Sequence, residues 1–199
     1  MRAHELVKEI QYAPHIGKDN RSVYPISSMK YNYKYDNKTS RNIERYDIPE
    51  LPDHTIEIFN KGNTSHVYLI NDDTEEIVAI VDINKSIPNF FRIESTKVVP
   101  AYQGKRIGPT IYKFIIVDLG VNLISDDAQS PGGAKLWANL AKDPEIKVVA
   151  YDLATKKSSP VVYDSENQRL AVANPKAINN QSLYVEYTQN KVVLLATKR

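Results

Sequence analysis

Val98-Val99-Pro100-Ala101-Tyr102-Gln103-Gly104-Lys105-Arg106-Ile107-Gly108-Pro109 is the stretch on which the reading of this 199-residue chain turns. Upstream of it, residues 90–99 are rich in aromatic and β-branched side chains, which favours a strand. Downstream, Ile107, Ile111, Phe114 and Ile115 keep helical spacing along one face. Pro109 suits the first position of a helix and Gly120 the residue just past its end, so a helix is predicted over 109–119. A strand therefore stops at a proline, a turn carries two glycines and two cations, and a helix begins at once. Backbone N–H groups at a helix start have no intrahelical partner, and the helix dipole favours an anion there. Gly104 and Gly108 permit close backbone approach, and Lys105 and Arg106 add positive charge. Such a turn suits a diphosphate, although two glycines also serve simply to shape a tight passage from strand to helix. The Walker spacing and the dinucleotide G-x-G-x-x-G are both missing.

Working outward, residues 55–60, 66–71 and 76–84 read as successive antiparallel strands, with Asn71-Asp72-Asp73-Thr74 as turn chemistry between the second and third. Residues 121–125 form a short buried strand. A helix joins it to strand 90–99, so the two are expected to be parallel with a right-handed connection. Ser130-Pro131 reads as an N-cap and first-turn proline opening a helix through Leu136, Trp137 and Leu140 to Lys142. Residues 146–153 form a strand, 158–180 loop and short strand, and 183–187 with 192–197 a final hairpin. Residues 3–11 suit a short helix with Leu6, Val7 and Ile10 on one side. Between Tyr12 and Pro52 the chain is rich in Tyr, Asn, Lys and Ser and is punctuated by Pro14, Pro25, Pro49 and Pro52. There Tyr31, Tyr33 and Tyr35 alternate with polar residues, as in a strand with one aromatic face. The order implies an α+β or mixed α/β fold, a central, mostly antiparallel sheet with helices on both faces.

Bulk properties narrow the function classes. The length fits one domain with extensions, here residues 1–54 packed on a core of residues 55–199. Twenty-six basic and 24 acidic residues leave a net charge of +2, too balanced to imply a nucleic-acid or membrane partner. Stacking of bases on the tyrosine stripe beside Lys30 and Lys34 is weighed against a plain half-buried strand face. Without cysteine there is no disulfide, thiolate nucleophile or Cys-based zinc site. The four histidines have no metal-ligand spacing, so no metal is expected. No apolar run approaches a bilayer span and the N-terminus has no signal-peptide core, which makes the cytoplasm the expected location.

Gln103 and Gly108 stand at the first and last positions of [QR]-x-x-G-x-[GA], and Val98-Val99-Pro100 is a V-x-P ending the preceding strand. In these features the chain resembles the GNAT superfamily of N-acetyltransferases, with Arg106 where that family prefers glycine. In strand and helix order the resemblance extends over residues 55–153. It implies that acetyl-CoA is the co-substrate, held by the backbone near Val98 and Val99 along its pantetheine arm. Its pyrophosphate would lie on Gln103, Gly104, Lys105, Arg106, Ile107 and Gly108. The acceptor would be an amine of a protein or small molecule, acetylated by direct transfer.

Many members of the family carry a glutamate on the fourth strand, and Glu94 is the candidate base, placed by even spacing on the face of Val98. The alternative is a salt-bridged surface glutamate. Asp126 and Asp127 follow the next strand, as base or cation site or as loop hydrogen bonders. Trp137 stands where a catalytic tyrosine often does; indole cannot give a thiolate its proton, so packing beside the cofactor arm is expected. Either the thiolate leaves without an enzymic acid, or the chain is a catalytically weak binder of a partner protein. Ser125-Asp126-Asp127-Ala128-Gln129-Ser130-Pro131-Gly132-Gly133 followed by Leu136-Trp137 also resembles acetyltransferase-like proteins of tailed bacteriophages, for which that partner would be a host factor.

Overall fold

The structure, a computed structural model, describes residues 15–16, 22–23, 26–39, 43–87, 89–126, 130–166, 169–178, 183 and 192–199. It divides into two units, residues 1–39 and 40–199. The first holds a two-stranded antiparallel ladder of β1 (His15–Ile16) and β2 (Ser22–Val23), then helix α1 (Ile26–Thr39). Helix α1 overturns the strand expected around Tyr31, Tyr33 and Tyr35. Met29, half-buried Tyr33 and Asp36 form its inward side at the i, i+4, i+7 spacing of a helix. On a helix, residues two apart point in widely different directions, so Tyr33 and Tyr35 do not share a face. The helix expected over residues 3–11 lies outside the described residues.

The second unit contains β3 (Ile43–Asp47), β4 (His54–Lys61), β5 (Thr64–Asn71), β6 (Glu76–Ile87) and β7 (Phe90–Val98). After a loop come helix α2 (Ile107–Lys113), which runs on through a π turn (Phe114–Asp118), and β8 (Asn122–Ile124). Helix α3 (Pro131–Leu140) leads to β9 (Ile146–Asp152), β10 (Ser158–Asp164), β11 (Arg169–Val172) and β12 (Val192–Lys198). Among the described residues ten strands form one sheet in the order β11-β10-β9-β12-β8-β7-β6-β5-β4-β3. Residues 43–47, read from sequence as part of the extension, are its edge strand, antiparallel to β4. Every neighbouring pair is antiparallel except β7 and β8, which are parallel as their helical connection requires. The chain thus has a mixed α/β fold with a large, mostly antiparallel sheet, in the element order the GNAT resemblance implies. Residues 184–187, expected to form a hairpin with the last strand, lie outside the described residues. Strand β12 instead inserts between β8 and β9.

Alternation sorts the sheet into two faces. On one, Ile56, Ile58, Val67, Leu69, Ala79, Val81, Ile83 and Ile93 continue through Leu123, Val148, Ala150, Leu194 and Ala196. Against this face pack Ile107, Ile111, Phe114 and Ile115 of the α2 segment and Trp137, Ala138 and Leu140 of α3. The helical spacing read from sequence is therefore the buried stripe; each such side chain removed from water stabilises by about 1.5–3 kcal/mol. The other face carries a smaller apolar cluster of Ile124, Val193 and Leu195, with Phe90 stacked at 6.4 Å on Tyr151. Ser130 caps α3 by accepting the Gly133 amide at 3.1 Å, with Pro131 at the first turn, as its sequence signature implies. Among the described residues no helix is long and apolar enough to cross a membrane.

Candidate active site

Strand β7 is paired with β6 along nearly its whole length but with β8 only at Phe90↔Asn122, Phe91↔Leu123 and Arg92↔Ile124. Past that point the two strands part. Beyond β8 the chain stays with β12: the Ser125 amide donates to Leu194 O at 2.8 Å, and the Leu194 amide donates to Ser125 Oγ at 3.0 Å. Residues 93–98 consequently have no strand on their outer edge among the described residues, leaving backbone groups that an extended ligand arm can use.

The loop at the end of that edge starts with a 3₁₀ turn, Pro100–Tyr102. Gly104 (φ +82°) and Arg106 (φ +62°) are both left-handed. A side chain in that region costs roughly 1–2 kcal/mol, a cost that Arg106 bears and a glycine would not. Arg106 precedes α2 without a side-chain cap, and the amides of Gly104, Arg106, Ile107 and Gly108 have no acceptor among the described residues. Gln103, Gly104, Lys105 and Arg106 are exposed, and Lys105 Nζ lies 5.0 Å from the centre of the Tyr102 ring. Several loop amides, one helix start and two cations thus sit together beside the parted strands.

Other members of the expected binding set have different local roles. The Val98 carbonyl accepts Gln103 Nε2 at 3.0 Å, and the Val99 amide donates to Val78 O at 2.9 Å. The Ile107 side chain is buried in the core, so only its amide faces the loop. A Cβ on Gly108 would meet Leu136 Cδ1 at 2.8 Å, the end of a flexible, half-buried side chain that would have to turn aside.

The even-spacing argument for Glu94 fails. Ile83 pairs with Ile93 and Asp82 with Ser95, which leaves Glu94 as an extra residue, a β-bulge. The extra residue resets the alternation: Ile93 and Val98 share the helical face, and Glu94 lies exposed on the other. Beside it, Ser95 Oγ donates to Asp82 Oδ2 at 2.5 Å. His66 Nδ1 lies 3.3 Å from Asp82 Oδ1, a charge contact without hydrogen-bond alignment, and Lys97 Nζ lies 4.0 Å from Oδ2. Burial acts to raise the Asp82 pKa, but His66, the Ser95 hydroxyl and the Lys97 charge outweigh it, and the net shift is downward.

On the helical face, Thr96 Oγ1 and Tyr112 Oη are 2.7 Å apart, and Trp137 sits edge-on to Tyr112 with ring centres 6.3 Å apart. Trp137 is buried packing. Burial raises the Tyr112 pKa, the Thr96 bond works against this, and the Asp126 carboxylate adds to it. Asp126 therefore lies within electrostatic reach of this pair, on the far side of the parting, whereas Asp127 lies outside the described residues. Sequence reasoning missed Thr96, Tyr112, Asp82, Ser95 and His66. The signal for Tyr112 was its place one turn after Gly108 on the side of α2 facing Trp137.

No protein-family model matches the chain, and no curated protein matches it. Among solved structures it is similar to nourseothricin acetyltransferase, with a TM-score of 0.37 and 11% identity over 78% of this chain and 82% of that one. It is also similar to a protein of Bacteroides thetaiotaomicron assigned to the GNAT family of acetyltransferases (TM-score 0.39, 13% identity, 87% and 84% covered). A third is IAA acetyltransferase from Bacillus cereus (TM-score 0.33, 14% identity, 79% and 99% covered).

Proposed function

We propose that this chain transfers an acetyl group directly from acetyl-CoA to an amine of a protein or small molecule. The observation that supports it most is the coincidence of two features at one end of β7. Among the described residues no strand pairs with the outer edge of 93–98, and the adjoining loop presents the amides of Gly104, Arg106, Ile107 and Gly108. An extended amide-bearing arm suits the first, and a diphosphate suits the second, where Lys105 and Arg106 add charge. The arm then runs toward the place where β7 and β8 meet, which brings its thioester beside Glu94 and Asp126, the candidate bases.

The amine attacks the thioester carbon, a C–N bond forms, the C–S bond breaks, and the sulfur leaves with the electron pair. The base takes the surplus proton from nitrogen, and the thiolate is protonated. Trp137 contributes packing against Tyr112 and no proton. That burial also supports a second reading, a catalytically weak protein that binds acetyl-CoA and serves a partner, a host factor if the chain is viral.

The test is calorimetry with coenzyme A followed by transfer of labelled acetyl from acetyl-CoA to a panel of amines and lysate proteins. Binding with transfer is expected. Binding without any labelled product selects the second reading, and absence of binding contradicts both.

A further inference from the structure

We infer that the donor site admits only short acyl groups, acetyl and propionyl, and that Tyr112 and Trp137 are the side chains that exclude longer ones. The inference rests on the acetyl-transfer reading and adds to it the acyl range of the donor and the residues that set it. The thioester lies where β7 and β8 part. From there an acyl chain can lengthen inward between the strands, toward the helices, or toward the opposite face of the sheet.

Inward the way is shut by backbone. Phe91 pairs with Leu123 and Arg92 with Ile124, and strands joined in a ladder stand too close for a chain to pass between them. Toward the helices the ground is filled in layers. Thr96, half-buried on the unpaired edge of β7, has its Oγ1 2.7 Å from Tyr112 Oη. Behind it Trp137 braces the Tyr112 ring edge-on, and both residues are 3% exposed. The Tyr112 pKa is raised first by burial and further by the Asp126 carboxylate, which places the hydroxyl near the chain leaving β8 as well. Tyr112 thus underlies the parting from the helical side, with its hydroxyl tied to one strand and its ring backed by α3.

A lengthening acyl chain therefore meets two packed aromatic rings, which yield only if the helices move with them. Toward the opposite face it meets the exposed Glu94 and the bonded pair of Ser95 and Asp82. A methylene chain laid there strips water from charged and polar groups without gaining an apolar surface to pack on. Acetyl and propionyl are short enough to stay at the parting itself. Hexanoyl is not, and it has to disturb one of these three walls.

The test is calorimetry of the full chain with coenzyme A and with its acetyl, propionyl and hexanoyl thioesters, repeated on Tyr112→Leu and Trp137→Leu with a melting curve for each. In the wild type acetyl-CoA and propionyl-CoA should bind alike, and hexanoyl-CoA about 10-fold or more weaker than acetyl-CoA. Leucine is smaller than either ring, so each folded variant should shrink that ratio to about 3-fold or less. Loss of stability alone lowers the affinity for all the thioesters together and leaves the ratio where it was. If one variant does not fold the other carries this arm, and the wild-type series decides without either. Hexanoyl-CoA bound by the wild type as tightly as acetyl-CoA overturns the inference while the donor site stands. Folded variants that keep the wild-type ratio overturn the assignment to Tyr112 and Trp137. Absence of coenzyme A binding overturns the reading beneath.

Discussion

The two edges of β7 differ in kind. Its inner edge follows β6 from Phe90 to Val98, interrupted only by bulges, and its residues other than Glu94 each have a cross-strand neighbour. Its outer edge keeps three partners on β8 and then loses them, where Ser125 continues on β12 through Leu194. A sheet interior is made of satisfied backbone groups, and a site for an extended ligand has to be made by withholding a strand. Here the chain past β8 stays with β12 and not with β7, so contacts that stabilise the outer arm also shape the ground beside residues 93–98.

Several substitutions break or sharpen that contrast. Leu194→Ala, at a fully buried position of β12, is expected to cost about 2–5 kcal/mol in urea unfolding and to weaken coenzyme A binding as well. Val67→Ala on the inner half should destabilise without touching affinity once the folded fraction is accounted for.

Ser125→Ala leaves the buried Leu194 amide without its acceptor, for a loss of about 1–3 kcal/mol seen as a lower melting temperature. Arg106→Gly relieves a left-handed side chain and should gain up to about 1 kcal/mol, while the lost cation makes coenzyme A binding weaker and less salt-dependent. Gly108→Ala presses a methyl on the end of the Leu136 side chain, which can turn aside, and Ala favours the helix, so unfolding stability should change by less than about 1 kcal/mol.

The smallest expected effect concerns pH. The folded Asp82 pKa lies below its unfolded value, so its contribution to stability is complete above the unfolded pKa and is lost as pH falls through the folded one. Acid titration of the melting temperature should therefore be shallower in Asp82→Asn than in the wild type.

Much of the inner half was legible in the sequence because its information is local. Alternation in residues 55–84, the turn at Asn71–Thr74 and the Ser130-Pro131 start of α3 act within a few residues. The parallel pairing of β7 and β8 was also legible, since a helix between two strands allows little else. What escaped was decided over long range. Nothing near residue 192 says that β12 lies between β8 and β9, and nothing near Ser125 says that its hydroxyl accepts the Leu194 amide. The bulge at Glu94 is a one-residue mismatch between β6 and β7 and cannot be seen in either strand alone; it moved the candidate base to the other face. At Tyr31–Tyr35, a period of two over five residues was too short to outweigh the helical set of Met29, Tyr33 and Asp36.

The most direct measurement is an amide NMR titration of the labelled protein with coenzyme A. The account predicts that the amides of Gly104, Arg106, Ile107 and Gly108 shift together with residues 93–98, while β4 and β5 stay still. Saturable binding that moves a different surface, or no binding at all, would contradict it.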